Sequence, residues 1–226
     1  MSSNIMFIPL LFAIGLSIWA QFKVKGTFNK YANVHNMYGL TGHDAARRML
    51  DANGLYDVPI EPVRGSLTDH YDPTKRVVRL SEPVYYENSV SAVAVACHEV
   101  GHAIQHKESY SMLVLRHKMF PIVNITSQVS PFLILAGFLF GSLNLLGVGI
   151  VFFSLAVLFQ LVTLPVEFDA SNRARRGMLS MGLVSQNDER GVGKVLNAAA
   201  LTYVAAALIS LIELLRFIMM FFQSRD

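Results

Sequence analysis

The 226-residue chain is 53% hydrophobic and only 15% charged, well below the roughly 25% of ordinary soluble domains, which excludes an ordinary soluble globular fold. Its net charge of +3 includes no dense basic cluster, so nothing points to a nucleic-acid partner. The single cysteine, Cys97, rules out an internal disulfide and suits a reducing compartment.

Taken in chain order, the first element is Ile5 to Phe22, an uncharged run of 18 residues, inside the range of about 17–25 that crosses a bilayer. Lys23, Lys25 and Lys30 follow it and no basic residue precedes it, the reverse of a cleavable signal peptide's charge order. Residues 1–22 are therefore expected to be a transmembrane anchor with its N-terminus outside.

Residues 23–118 read as a small α+β domain at the membrane face. Thr41-Gly-His-Asp44 has the form of a capping box, with Asp in place of Glu, opening a helix that Gly54 terminates. "YDVPIEPV" (56–63) alternates and carries prolines, the pattern of a short edge strand. A turn is expected at Asp72-Pro73-Thr74-Lys75, followed by a strand over Arg76–Leu80. Ser81 is expected to cap a helical turn at Glu82-Pro83, and Ser89 or Ser91 to start the next helix.

That helix carries "AVACHEVGHAIQH" (94–106), three histidines and a glutamate in an otherwise apolar stretch. His98-Glu99-Val100-Gly101-His102 is an H-E-x-x-H pattern. With 7 His and 8 Glu in the chain, chance supplies about 0.008 such matches. Residues four apart share a helix face, so both imidazoles can bind one tetrahedral zinc. Glu99 sits beside that face and can take a proton from an activated water, whose pKa zinc lowers toward about 7. A buried helix would not tolerate these groups without a ligand. His106 lies a further turn along, too far from such a metal, and is assigned to packing. Cys97 points away from the ligand face and is also assigned to packing.

Met119 through Val166 is a stretch of 48 residues without Asp, Glu, Lys or Arg. It accommodates two membrane spans divided near Gly141-Ser142-Leu143-Asn144. Residues 167–194 are charged again. Residues 195–226 hold a last span interrupted by Glu213 and Arg216, which lie three apart on one face and are expected to pair near a helix end. The segment 23–118 contains 12 of the 19 Lys and Arg, and 167–194 contains five more. By the positive-inside rule both segments are cytoplasmic and both termini outside.

A catalytic zinc takes three protein ligands and keeps a fourth position open. Spacing and topology leave His70 and Glu167 as candidates for the third; Glu167 ends the charge-free run on the motif's side of the membrane.

"HEVGHAIQH", "LTDHYDP", "TLPVEFDASNRA" and "AAALTYVAA" together resemble the YugP-type bacterial membrane zinc metallopeptidases. That gluzincin-like group is related in layout to the HtpX and prenyl-peptide-processing peptidases. The resemblance implies that the third ligand is the Glu of an E-x-x-x-D motif after a membrane pair, here Glu167. Ser171 stands where those relatives have Asp, so orientation of a zinc histidine is expected from Asp169, Asn172 or a backbone carbonyl. Strand 76–80 takes the place of the edge strand that pairs with substrate in zincins. His70 or Tyr71 could join the site or belong only to a polar turn, and Tyr203 and Arg173 are candidate oxyanion partners.

The expected fold is a mainly α integral membrane protein, with about four transmembrane helices and a small zincin-like cytoplasmic domain. The expected function is a multi-pass inner-membrane Zn2+ endopeptidase acting on membrane-proximal or misfolded proteins, with no oligomeric state specified. The competing readings are a zinc-stabilised scaffold without turnover and a prenyl-peptide-processing protease.

Overall fold

The computed structural model describes the backbone of residues 2–224 and the side chains of Ile8, Pro9 and residues from 11 onward. The elements are α1 (Ser2–Ala32), α2 (Gly42–Ala52), β1 (Ile60–Val63), β2 (His70–Asp72), β3 (Val77–Ser81), α3 (Glu82–Tyr86), α4 (Val90–Lys107), α5 (Ser111–Leu139), α6 (Leu143–Ser180) and α7 (Gln186–Gln223). They form two compact units. One takes residues up to Ala20, Ser111–Pro165 and Thr202 onward; the other takes Gln21–Tyr110 and Val166–Leu201.

In the first unit, apolar side chains face outward. Phe132 is 73% exposed, and Ile122, Ile125 and Leu135 are also exposed. Such a surface suits hydrocarbon, where helices satisfy their own backbone groups. Among the described residues, α5, α6 and α7 are long and apolar enough to cross a membrane. The expected span Ile5 to Phe22 lies in α1, with the side chains of residues 5–7 and 10 outside the described set. Lipid gives packed helices no hydrophobic advantage, so close approach needs small residues. A Cβ on Gly149 of α6 would lie 2.9 Å from the Ile134 nitrogen of α5, and Ser130 Oγ donates to the Gly149 carbonyl at 2.9 Å. Glu213 and Arg216 pair within α7 at 3.0 Å.

The second unit has a conventional buried core, including Met49, Leu50, Val78, Leu80, Val84, Val93, Val100 and Met178. Truncating a core Met or Leu to Ala typically costs about 2–5 kcal/mol. The predicted capping box forms: Thr41 Oγ1 accepts from the Asp44 nitrogen at 3.1 Å and Asp44 Oδ2 from the Thr41 nitrogen at 3.2 Å. Asp72 Oδ1 accepts from the Thr74 and Lys75 nitrogens and makes the predicted turn. Ser89 caps α4 by accepting from the Ala92 nitrogen, while Ser91 donates to the Phe28 carbonyl.

Two expectations are corrected. The strand expected over 76–80 runs Val77–Ser81 and is central, not an edge. The sheet order is β1-β3-β2, with β1 parallel to β3 (Ile60 opposite Val78) and β2 antiparallel to it (Tyr71 opposite Val78). Its backbone groups are therefore engaged on both sides. Ser81 precedes α3 without a side-chain cap. Its nitrogen and hydroxyl instead donate to the Asp69 carboxylate, at 2.7 and 3.0 Å, which extends the β2–β3 pairing by a side chain.

Candidate metal centre

The site begins with helix periodicity. On α4, the His98 and His102 rings lie 4.8 Å apart between centroids and stand at 84° to each other. The next requirement is a close neighbour. A Cβ on Gly101 would sit 2.5 Å from the Ala170 carbonyl oxygen, so the absent side chain lets α6 press against the motif. Three residues before Ala170, about one turn, Glu167 reaches the imidazoles while only 3% exposed. Its Oε2 lies 3.3 Å from His98 Nε2 and 3.5 Å from His102 Nε2. All three ligand atoms fall within 4.8 Å of one another. Ligands about 2.0–2.1 Å from a tetrahedral ion are spaced about 3.3–3.4 Å apart. The donor set and its spacing therefore fit zinc.

The outer ring nitrogens fix which tautomer is present. Gln105 is fully buried. Its amide nitrogen lies 2.8 Å from the Val166 carbonyl and 2.9 Å from Asp169 Oδ2, both acceptors. The Gln105 oxygen must then face His102 Nδ1, 3.0 Å away, and that nitrogen must carry hydrogen. The Nε2 lone pair is left for a metal. For His98, Ser171 Oγ lies 3.2 Å from Nδ1 and can accept in the same way. This corrects the sequence expectation: the residue thought to have lost the orienting role makes the contact, because an acceptor of correct placement does not need a charge. Asp169 also participates, one step removed, through Gln105.

Glu99 is 8% exposed. Burial pushes its carboxyl above the usual range, aided by Glu167 and Asp69, while His98 and His102 pull it down. Such a group is a stronger base than an ordinary carboxylate. Burial also pushes His102 down, but the Glu167 hydrogen bond and charge, with Glu99, raise it overall. Desolvation pushes the Cys97 thiol up to about 12, leaving a neutral packing residue.

The other candidates are not gathered at this point. His70 is exposed at the start of β2, with Nδ1 2.8 Å from the Thr68 carbonyl. Tyr71 and His106 turn inward together, hydroxyl to Nδ1 at 2.8 Å, and fasten the sheet to α4. Arg173 is engaged with Asp169 at 2.5 Å and Glu108 at 2.6 Å. Tyr203 lies on α7 in the other unit. Sequence reasoning missed Gln105, Gly101 and Asp69. Gln105 alone carried a usable signal, a polar residue three positions after His102 among apolar neighbours.

The arrangement is that of a membrane protein whose helices could hold one metal ion between two imidazoles and a carboxylate. A family model described as "Putative neutral zinc metallopeptidase" matches residues 6–222, and the chain belongs to this family. It is 67% identical over 214 residues to "Putative membrane protease YugP" of Bacillus subtilis (strain 168), with 95% of each chain covered. No solved structure matches the chain. Zinc is the cofactor that the family and the donor set have in common.

Proposed function

We propose that the chain is a multi-pass, gluzincin-type endopeptidase in which His98, His102 and Glu167 hold zinc and Glu99 is the general base. The observation that carries this reading is the 3.3 and 3.5 Å spacing of Glu167 Oε2 from the two Nε2 atoms, with a buried carboxylate adjoining. Bound zinc would supply Lewis acidity toward a peptide carbonyl and toward water. Glu99 takes the proton as water attacks, retains it because burial favours the neutral acid, and delivers it to the leaving amide nitrogen. Gln105 and Ser171 hold the rings so that Nε2 of each faces the centre. His70, exposed on an edge strand, is placed to meet an extended chain.

Glu167 is the first charged residue after 48 uncharged ones, which favours membrane-proximal or misfolded protein substrates over distant soluble ones. The distribution of basic residues supports four spans, with residues 23–118 and 167–194 in the cytoplasm. Labelling of a cysteine at position 30 or 175 by an impermeant reagent on intact cells would overturn that topology.

The decisive experiment is Glu99→Gln in detergent-purified full-length protein, with zinc content and cleavage of fluorogenic casein measured together. Zinc should stay near the wild-type level while cleavage falls about 10²–10⁴-fold. Undiminished cleavage refutes the base, zinc-free wild type refutes the centre, and zinc without any wild-type cleavage of protein substrates favours the scaffold.

A further inference from the structure

A cavity of about 500 Å³ opens between α1 and α7, lined by Lys23, Thr27 and Lys30 on one side and by Lys194, Asn197 and Leu201 on the other. Residues 23, 27 and 30 follow the i, i+4, i+7 spacing of a single helix face, and so do 194, 197 and 201 with i, i+3, i+7. Three lysines therefore line one recess. Several other basic side chains in this unit are matched, Arg47 with Asp51, Arg79 with Glu61 and Asp72, and Arg175 with Glu189. No ion pair joins Lys23, Lys30 or Lys194 to an acidic group among the described residues; Lys30 lies only over the Tyr31 ring, at 5.9 Å. Like charges around one cavity repel unless an anion occupies it.

The position of the recess narrows the choice of anion. Lys23 directly follows the uncharged run 5–22, and Lys194 is the last charge before the uncharged run 195–212. The lysines thus mark the level at which both helices leave an apolar stretch, the level of lipid headgroups. Thr27 and Asn197 add neutral hydrogen-bonding groups, and Ala198 and Leu201 add an apolar wall. A phosphate attached to hydrocarbon satisfies all three kinds of surface.

We infer that this recess binds the phosphate headgroup of an anionic membrane phospholipid. The inference goes beyond the protease reading and rests only on its placement of α1 and α7 in the bilayer. Topological bias alone would scatter lysines around the span ends, where they would be interchangeable with Lys25, which is not among the residues lining the recess. A built site makes them non-interchangeable.

The test is native mass spectrometry of the full chain in detergent, with phosphatidylglycerol and phosphatidylcholine supplied in equal amounts. One phosphatidylglycerol should be retained in preference to phosphatidylcholine. The triple variant Lys23→Gln/Lys30→Gln/Lys194→Gln should weaken retention on the order of a hundredfold. Lys25→Gln/Arg64→Gln/Arg190→Gln, which removes the same charge, should change it less than about threefold. Should the first triple fail to insert, Asn197→Trp fills the recess and leaves every charge in place; it should expel the lipid. Equal loss in both triples, or full retention in Asn197→Trp, overturns the site. Displacement of the lipid by millimolar inorganic phosphate overturns the lipid assignment in favour of a soluble phosphate. Zinc content and casein cleavage are read on the same samples. Their loss in wild type with lipid still bound indicts the catalytic reading and leaves this one standing.

Discussion

α6 makes close glycine contacts in both units, and two of them, one in each unit, do different work. At Gly149 it meets α5, and there the Ser130 hydroxyl donates to the Gly149 carbonyl. At Gly101 it meets α4, and around that crossing lie the buried groups Glu99, Gln105 and Glu167 with both motif imidazoles. In hydrocarbon, closeness is itself the stabilising contact, because burying apolar surface gains nothing over lipid. In the second unit, closeness sets the distance between ligand atoms. A slack of half an ångström would cost the first crossing some dispersion contact. It would take the second out of the 3.3–3.5 Å range in which one ion can be held.

The largest effect that tests this contrast is removal of the group that the second crossing delivers. Glu167→Ala should leave less than about one tenth of an equivalent of zinc per chain after dialysis and lower the melting temperature in detergent. His70→Ala should keep its zinc. The opposite pattern would transfer the third ligand to His70 and leave the Gly101 crossing with no special purpose. Next in size is Gln105→Leu, which removes the acceptor at His102 Nδ1 and abandons Asp169 and the Val166 carbonyl. Zinc affinity, measured by chelator competition, should fall about 10–100-fold.

The sharpest comparison pairs Gly101→Ala with Gly149→Ala. Each should destabilise by about 1–3 kcal/mol, the usual range for overpacking. Only Gly101→Ala should also weaken zinc binding. An equal loss of zinc affinity in Gly149→Ala would show the two crossings to be mechanically one. The smallest expected effect is at Cys97. With its thiol pushed up to about 12, folded protein should resist thiol-alkylating reagents at pH 8. Because the folded value lies above the unfolded one of about 8.5, the thiol's contribution to stability is intact below that pH and declines above it.

Much of this was legible because it is local. His98, Glu99 and His102 fall within five consecutive residues, and helix periodicity alone places them. The capping box at Thr41 and Asp44 and the charge-free run 119–166 are equally local. The remainder depends on what meets across space. Sequence separation carries no information on the order β1-β3-β2, in which the last strand is inserted between the other two. Nor does periodicity choose between His70 and Glu167; only the family resemblance favoured the latter before the α4–α6 contact was seen. Because relatives carry Asp at position 171, the orienting group was expected elsewhere, at Asp169, Asn172 or a backbone carbonyl, whereas a ring N–H needs only an acceptor and Ser171 Oγ lies 3.2 Å away. Gly101 occupies an unspecified position of the H-E-x-x-H pattern, although its missing Cβ is what admits α6.

The chain order of the metal ligands has a consequence for biosynthesis. The two imidazoles and Glu99 leave the ribosome on one short helix, but Glu167 follows only after α5 and the uncharged part of α6 have been made. At roughly 5–20 residues per second, that interval is at least about three seconds. It also requires the apolar hairpin to be delivered into the bilayer before α6 can fold back on Gly101. During this time the nascent polypeptide has two of the three groups that could hold a metal ion and lacks the third. On the proposed function, proteolytic competence therefore arrives late, once the last ligand has been made and α6 has folded back on Gly101.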